Sequence, residues 1–280
     1  MNDRLSNIAA SELRDQALWV RRQVLTMIAA AKKGHIGGSL SCTDILVTLY
    51  LGGVLNVRPR EPNWADRDRL IFSKGHACEA FYATLARAGF IPTAWLATYG
   101  QDGSRLGGHP DHLLPGVEVS SGSLGHGLGQ GAGMAYSARH QGRDSLAVVI
   151  LGDGECYEGS IWEAAQFAAH HRLGRLVALV DRNREITLDD TEDCNRHEPF
   201  ADKWRAFGWE VRECDGHDFD SILGALGDVR GRALRSQPLC LIARTIKGKG
   251  ISFMEQEIGW HHNVPKGEHL AAAKRELGLD

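Results

Sequence analysis

The sequence predicts an α/β fold, a parallel sheet flanked by helices, and three stretches carry that prediction. In residues 146–183 an apolar run (146–151) breaks at Gly152-Asp153-Gly154, an amphipathic stretch follows, and a second apolar run (176–180) ends in Asp181-Arg182-Asn183. Two runs rich in Val, Ile and Leu around about a dozen residues of helical period read as strand, helix, strand. Residues 68–73 (DRLIFS) and 238–246 (PLCLIARTI) read as two further buried strands. Such a crossover brings the ends of both strands to one edge of a parallel sheet, where ligands of open α/β sheets bind.

The remaining elements follow in order. Residues 8–33 carry Leu13, Ala17, Val20, Val24, Met27 and Ile28 at helical spacing and run into a glycine-rich turn around His35. Ser41 or Thr43 can cap the next helix, 44–51. After the strand at 68–73, Lys74-Gly75-His76-Ala77 opens a helix to residue 88, which sets His76 at an anion-binding helix N-terminus. Residues 103–115 have no period and read as a loop holding His109 and His112, an HxxH spacing that no carboxylate pattern supports as a metal site. Residues 117–133, VEVSSGSLGHGLGQGAG, follow no buried strand, so a dinucleotide fingerprint is weakly supported. A turn at 121–123 and a helix from 124 to 141 fit better, with Gly125, Gly129 and Gly133 forming a bare stripe on which another helix or backbone, of this chain or across a subunit interface, can pack closely. Beyond the crossover the sequence reads as a loop (188–200), a short helix ending at 208, a strand (209–214), a capped helix (219–229), the strand at 238–246 and a last helix from about residue 266. No internal repeat or linker interrupts residues 1–280, which read as one domain.

Composition excludes several classes. Of 280 residues, 43% are hydrophobic and 24% charged, ordinary for a soluble globular protein. A net charge of −3 favours neither nucleic acid nor an anionic membrane. The six cysteines are scattered without a CxxC pair, which suits a reduced cytoplasmic protein better than a disulfide framework or a zinc site. The polar start MNDRLSNIAASELRDQ is no signal peptide, and no apolar run is long enough to span a membrane.

The crossover places Asp153 and Asn183 together, although they are 30 positions apart. A carboxylate and an amide carbonyl are hard oxygen ligands suited to Mg²⁺ or Ca²⁺, and the flanking glycines let backbone approach a phosphate. On these residues alone a tight turn with a capping Asp explains Gly152-Asp153-Gly154 equally well. His35 taken alone favours a structural histidine over a site residue.

GDGECYEG followed by DRN resembles the thiamine diphosphate signature. The agreement extends through KKGHIGGSLSCTD, FSKGHACEAFYA, GGHPD, VEVSSGSLGHGLGQGAGMA, DGHD and TIKGKGISFMEQEIGWHH. In that order the segments resemble the N-terminal, diphosphate-binding domain of a transketolase. The resemblance implies a thiamine diphosphate-binding fold. It implies Asp153 and Asn183 as ligands of Mg²⁺ (or Ca²⁺), with a backbone carbonyl at Glu185 as the third. The segment after Asn183 is one residue longer than the usual form, so Ile186 is the alternative carbonyl. Gly154 then approaches the diphosphate, and His76 and His261 bond its oxygens or act near the reacting sugar. Gly122, Ser123 and Leu124 contact the aminopyrimidine; Ser123 stands where many complete transketolases have proline. His35 and His109 face sugar hydroxyls, and Glu158 lies near a partner's catalytic glutamate.

The resemblance further implies transfer of a two-carbon ketol unit from a ketose or ketose phosphate to an aldose, as in pentose phosphate metabolism. It implies one subunit of a split, heterotetrameric enzyme whose C-terminal partner carries the pyrimidine-binding domain and catalytic glutamate. Two other readings compete. One is an alpha-type chain of another thiamine diphosphate enzyme, a 2-oxo-acid dehydrogenase or a deoxyxylulose-phosphate synthase; the other is a non-catalytic binding or regulatory homologue. The histidines argue for sugars, and the intact Asp153, Asn183 and Glu158 argue against a dead site.

Overall fold

The structure, a computed structural model, describes residues 9–279. Five strands, β1 (Arg69–Phe72), β2 (Ala147–Gly152), β3 (Leu176–Arg182), β4 (Glu210–Asp215) and β5 (Leu239–Arg244), form one sheet in the order β1-β2-β3-β5-β4. Every ladder is parallel, with Phe72 opposite Ile150, Gly152 opposite Asp181 and Asp181 opposite Ala243. An all-parallel sheet needs cover on both faces, and alternate strand residues supply two apolar surfaces. Val148, Ile150, Val177, Leu179, Leu239 and Leu241 pack under α1 (Ala10–Ala31), α3 (Thr43–Leu51), α4 (Cys78–Ala88) and α9 (Phe219–Leu226). Val149, Leu151, Leu176, Ala178, Val180 and Ile242 face α5 (Gly127–His140), α6 (Gly159–His170) and α8 (Phe200–Ala206).

The helical spacing of residues 8–33 is realised in α1, which buries all six predicted positions; residue 8 lies outside the described residues. The capped helix after β4 is also present, Asp218 accepting the Asp220 amide at 3.0 Å, but it ends at Leu226. A last helix, α10 (Gly267–Glu276), starts where expected.

Three local expectations change. The glycine-rich turn after His35 is itself a buried helix, α2 (Ile36–Ser41). Glu79 holds it in place, accepting the His35 amide at 3.0 Å and the Ser39 hydroxyl at 2.8 Å. Within the loop at 188–200, residues Thr191–Cys194 form a single turn, α7, capped by Asp190.

The helix expected from residue 124 begins only at Gly127. Gly125 has φ +86°, its amide donates to Glu155 Oε1 at 2.9 Å, and the Gly127 amide donates to Ser73 Oγ at 3.1 Å. These side chains take the backbone donors and delay the helix. Within this chain the stripe packs closely only at Gly125, against Glu158 and Ser160. A Cβ at Gly133 meets nothing within 4 Å, whereas one at Gly127 or Gly131 would collide with Ser73 or Val149. The opposite face of α5 presses on the sheet.

All six cysteines are free thiols, five of them buried. No helix among the described residues is long and apolar enough to cross a membrane.

Candidate active site

The ends of β1, β2, β3 and β5 meet at one edge around a cleft of about 420 Å³. Asp153, one residue past β2, is 2% exposed. Its Oδ1 accepts the Gly154 amide at 2.8 Å; its Oδ2 accepts the Arg184 amide at 2.7 Å and Arg182 Nη1 at 3.1 Å. The capping role expected of the tight turn is thus realised. Burial pushes the Asp153 carboxyl above its ordinary range, against the pull of Arg182. Asn183, one residue past β3, accepts the Glu185 amide on Oδ1 at 3.0 Å and donates to Ser41 Oγ at 3.1 Å.

Two lysines face this oxygen cluster. Lys247 is buried, and its ammonium donates to the carbonyls of Glu185 at 3.2 Å and Ile186 at 3.1 Å. Burial lowers it to about 8, with Glu185 opposing. Lys74, following β1, pairs with fully buried Asp181. Burial alone would lower its pKa, but Asp181 raises it. Asp181 also accepts Ser41 Oγ at 2.7 Å and the Thr245 hydroxyl, so three strand ends and α2 share one carboxylate.

Above the lysines lies a histidine cluster. The rings of His35 and His76 are 5.3 Å apart, those of His35 and His261 5.7 Å, and those of His76 and His261 stack at 5.6 Å. Burial, reinforced by neighbouring histidines and lysines, lowers His35 to about 4, His261 to about 3 and His76 well below its ordinary value. Near neutral pH all three are uncharged imidazoles.

These residues fit a cation and a diphosphate. His261 Nδ1 is buried at the cleft with no hydrogen-bond partner, and Glu185 Oε2 has only the Lys247 ammonium 3.9 Å away, the state of groups that can take a ligand. The donor set of one carboxylate, one amide and backbone carbonyls is hard, and two of those carbonyls already hold the Lys247 cation. Among the described residues no group of three His, Cys, Asp or Glu side chains is poised for a metal, His109 and His112 included.

Of the residues singled out in the sequence, His76, Gly122, Leu124, Asp153, Gly154, Asn183, Glu185 and His261 line the cleft. His35 stands one ring behind, at the N-terminus of α2. His109 is exposed and backs onto Gly122, where φ is +146° and a Cβ would lie 2.9 Å from its ring. Ser123 is exposed, and Glu158 is exposed at the start of α6, over Gly125. Sequence reading passed over Lys74, Lys247, Glu155 and Asp181. Buried Glu155 joins three segments, accepting the Ser73 hydroxyl and the amides of Gly125 and Gly152. The only sequence signal for the two lysines is their position just after a buried strand.

The chain is similar to known proteins over nearly its whole length. Residues 14–280 match the family model described as transketolase, thiamine diphosphate binding domain. The chain is 42% identical over 257 residues to an apulose-4-phosphate transketolase subunit from Phocaeicola vulgatus, covering 92% of this chain and 90% of that one. It is 39% identical over 267 residues to the 6-deoxy-6-sulfo-D-fructose transketolase subunit SqwG of a Clostridium species, covering 95% and 96%. The transketolase structure from Campylobacter jejuni superposes with a TM-score of 0.90 at 30% identity, over 98% of this chain but only 43% of that chain.

Proposed function

Because this chain belongs to the transketolase family through its thiamine diphosphate binding domain, we propose that it is the N-terminal subunit of a two-chain transketolase. It moves a two-carbon ketol unit from a ketose or ketose phosphate to an aldose, in the cytoplasm. One observation carries the reading: a carboxylate, an amide and two carbonyls converge beside two lysines and three neutral histidines at one sheet edge. Relatives of the same length named as subunits support the two-chain arrangement. We assign the whole chain to one domain, and to its partner the pyrimidine-binding domain and catalytic glutamate, in a heterotetramer.

Bound thiamine diphosphate supplies a carbon nucleophile and an electron sink for the two-carbon fragment. Asp153, Asn183 and the Glu185 carbonyl hold Mg²⁺ (or Ca²⁺), with the Ile186 carbonyl as the neighbouring alternative. Lys247 and Lys74 add positive charge for the diphosphate, Gly154 lets the backbone approach it, and His76 and His261 donate to its oxygens. Gly122, Ser123 and Leu124 present backbone groups to the pyrimidine, and Glu158 faces the partner's glutamate. His35 and His109 face sugar hydroxyls, and a place near the reacting sugar is the alternative role of His76 and His261; a neutral imidazole can accept a hydroxyl proton and return it.

The test is reconstitution. The chain purified with its partner, Mg²⁺ and thiamine diphosphate turns over ketose donors, and the lone chain does not. Robust turnover by the lone chain would overturn the two-subunit reading.

A further inference from the structure

Arg182 separates Asp181 from Asn183 at the end of β3, and its side chain turns to the opposite face of the sheet from Asp181. It is 5% exposed. Nη1 donates to Asp153 Oδ2 at 3.1 Å and Thr191 Oγ1 at 2.8 Å; Nη2 donates to Glu192 Oε1 at 2.9 Å and Glu198 Oε1 at 3.1 Å. Its guanidinium carbon lies 5.1 Å over the ring of Phe200. Four of the five N–H groups of a rigid fork are thereby committed.

Three of those acceptors belong to residues 184–198, the segment that begins with the carbonyls of Glu185 and Ile186. The segment closes on itself around the guanidinium. The Thr191 amide donates to the Arg184 carbonyl at 2.8 Å, and Glu192 receives the amides of His197 at 3.3 Å and Glu198 at 3.1 Å. It is also stitched to the β2 side, where Tyr157 donates to the Thr191 carbonyl at 2.6 Å and His197 Nε2 donates to the Asp153 carbonyl at 2.9 Å. Asp153 Oδ2 is saturated by Arg182 and the Arg184 amide, while Oδ1 keeps one lone-pair direction after the Gly154 amide. A cation can take that direction without displacing Arg182.

We propose that Arg182 is a positioning residue that locks the Asp153 carboxylate to the 184–198 segment, so that the metal and diphosphate half-site stands formed before either ligand arrives. The inference rests on the functional reading above. It also fixes a sign. A buried cation that merely repelled a second one would, on removal, tighten metal binding; a latch, on removal, loosens it.

The experiment uses the chain with its partner, titrating Mg²⁺ by calorimetry at fixed thiamine diphosphate, with hydrogen exchange of the cofactor-free complex alongside. In Arg182→Met, Mg²⁺ affinity falls about 10–100-fold, the usual consequence of losing an outer partner of a ligand. Amides of residues 184–198 exchange faster without cofactor. In activity assays the loss shows in the Mg²⁺ concentration for half-maximal rate rather than in kcat. Arg182→Lys, which keeps the charge but not the fork, stays close to Met. Should Arg182→Met not fold, Glu192→Gln is read instead, with weaker binding and faster exchange expected. Unchanged or tighter binding with unchanged exchange overturns the latch, as does full recovery by lysine. Failure of the wild-type complex to bind Mg²⁺ and thiamine diphosphate overturns the functional reading, and the latch with it.

Discussion

At the edge where the strands begin, Asp68 accepts the amides of Asn56 at 2.6 Å and Leu146 at 2.8 Å and pairs with Arg230; nearby, Arg175 meets Asp144 and Arg67 meets Glu118. At the edge where they end, Asp153, Asp181, Lys74, Lys247 and Arg182 are as deeply buried but gather around a cleft; Glu185 Oε2 and His261 Nδ1 lack hydrogen-bond partners there, as Arg67 Nε and Arg175 Nε do at the other edge. The starting edge borders the larger hollow, about 1060 Å³ between Asp66, Arg143, Asp228 and Arg230, against about 420 Å³ at the other. Size therefore does not mark the site. What marks it is the convergence of Lys74, Lys247, His76, His261, Asp153 and Glu185 on one cleft, whereas the starting edge uses its carboxylates to fasten strands and loops.

Mutations at the two edges should have different consequences. At the ending edge, Asp153→Asn removes the one carboxylate proposed as a metal ligand. Binding of Mg²⁺ and thiamine diphosphate to the assembled enzyme should weaken by more than the roughly 10–100-fold that loss of an outer partner costs, and turnover should vanish. Unchanged ketol transfer would refute the metal assignment. At the starting edge, Asp68→Ala strands Arg230 and two amides; denaturant unfolding should show a loss of about 3–5 kcal/mol, with cofactor affinity of the folded protein retained. If Asp68→Ala instead lowered cofactor affinity as Asp153→Asn does, the two edges would not be functionally distinct.

The smallest effect is a pH slope. His35 and His261 fall to about 4 and about 3 in the fold, against 6.5 for a free imidazole. Below 6.5 the unfolded chain binds protons that the folded chain refuses, so this stability is full above 6.5 and drains as pH drops toward 4. Unfolding measured on either side of pH 6.5 should show a shallower acid loss in His35→Asn than in wild type. Identical slopes would mean that His35 titrates freely in the folded protein.

The sheet and the pairing of Asp153 with Asn183 were legible because strand period and crossover geometry are local signals that survive packing. What resisted reading was polar bookkeeping between distant segments. Glu155 meets Ser73, Gly125 and Gly152 only once three strand-end loops have come together. Glu79 turns the apparent glycine turn after His35 into a helix through bonds spanning 44 and 40 positions. Glycine spacing alone was ambiguous, because the alternation 125, 127, 129, 131, 133 offers two opposite faces and only the fold shows that the 127 and 131 face meets the sheet.

The parallel order of the strands also sets a timetable. β1 has one neighbour, β2, and the first paired residues are Arg69 and Ala147, 78 positions apart. Contacts of that span must wait for the intervening chain, and their closure slows folding. Lys74 and His76 can meet Asp153 only after the residues between them have been made. The nascent chain therefore passes through a long interval in which β1 carries the site's lysine with no sheet to hold it.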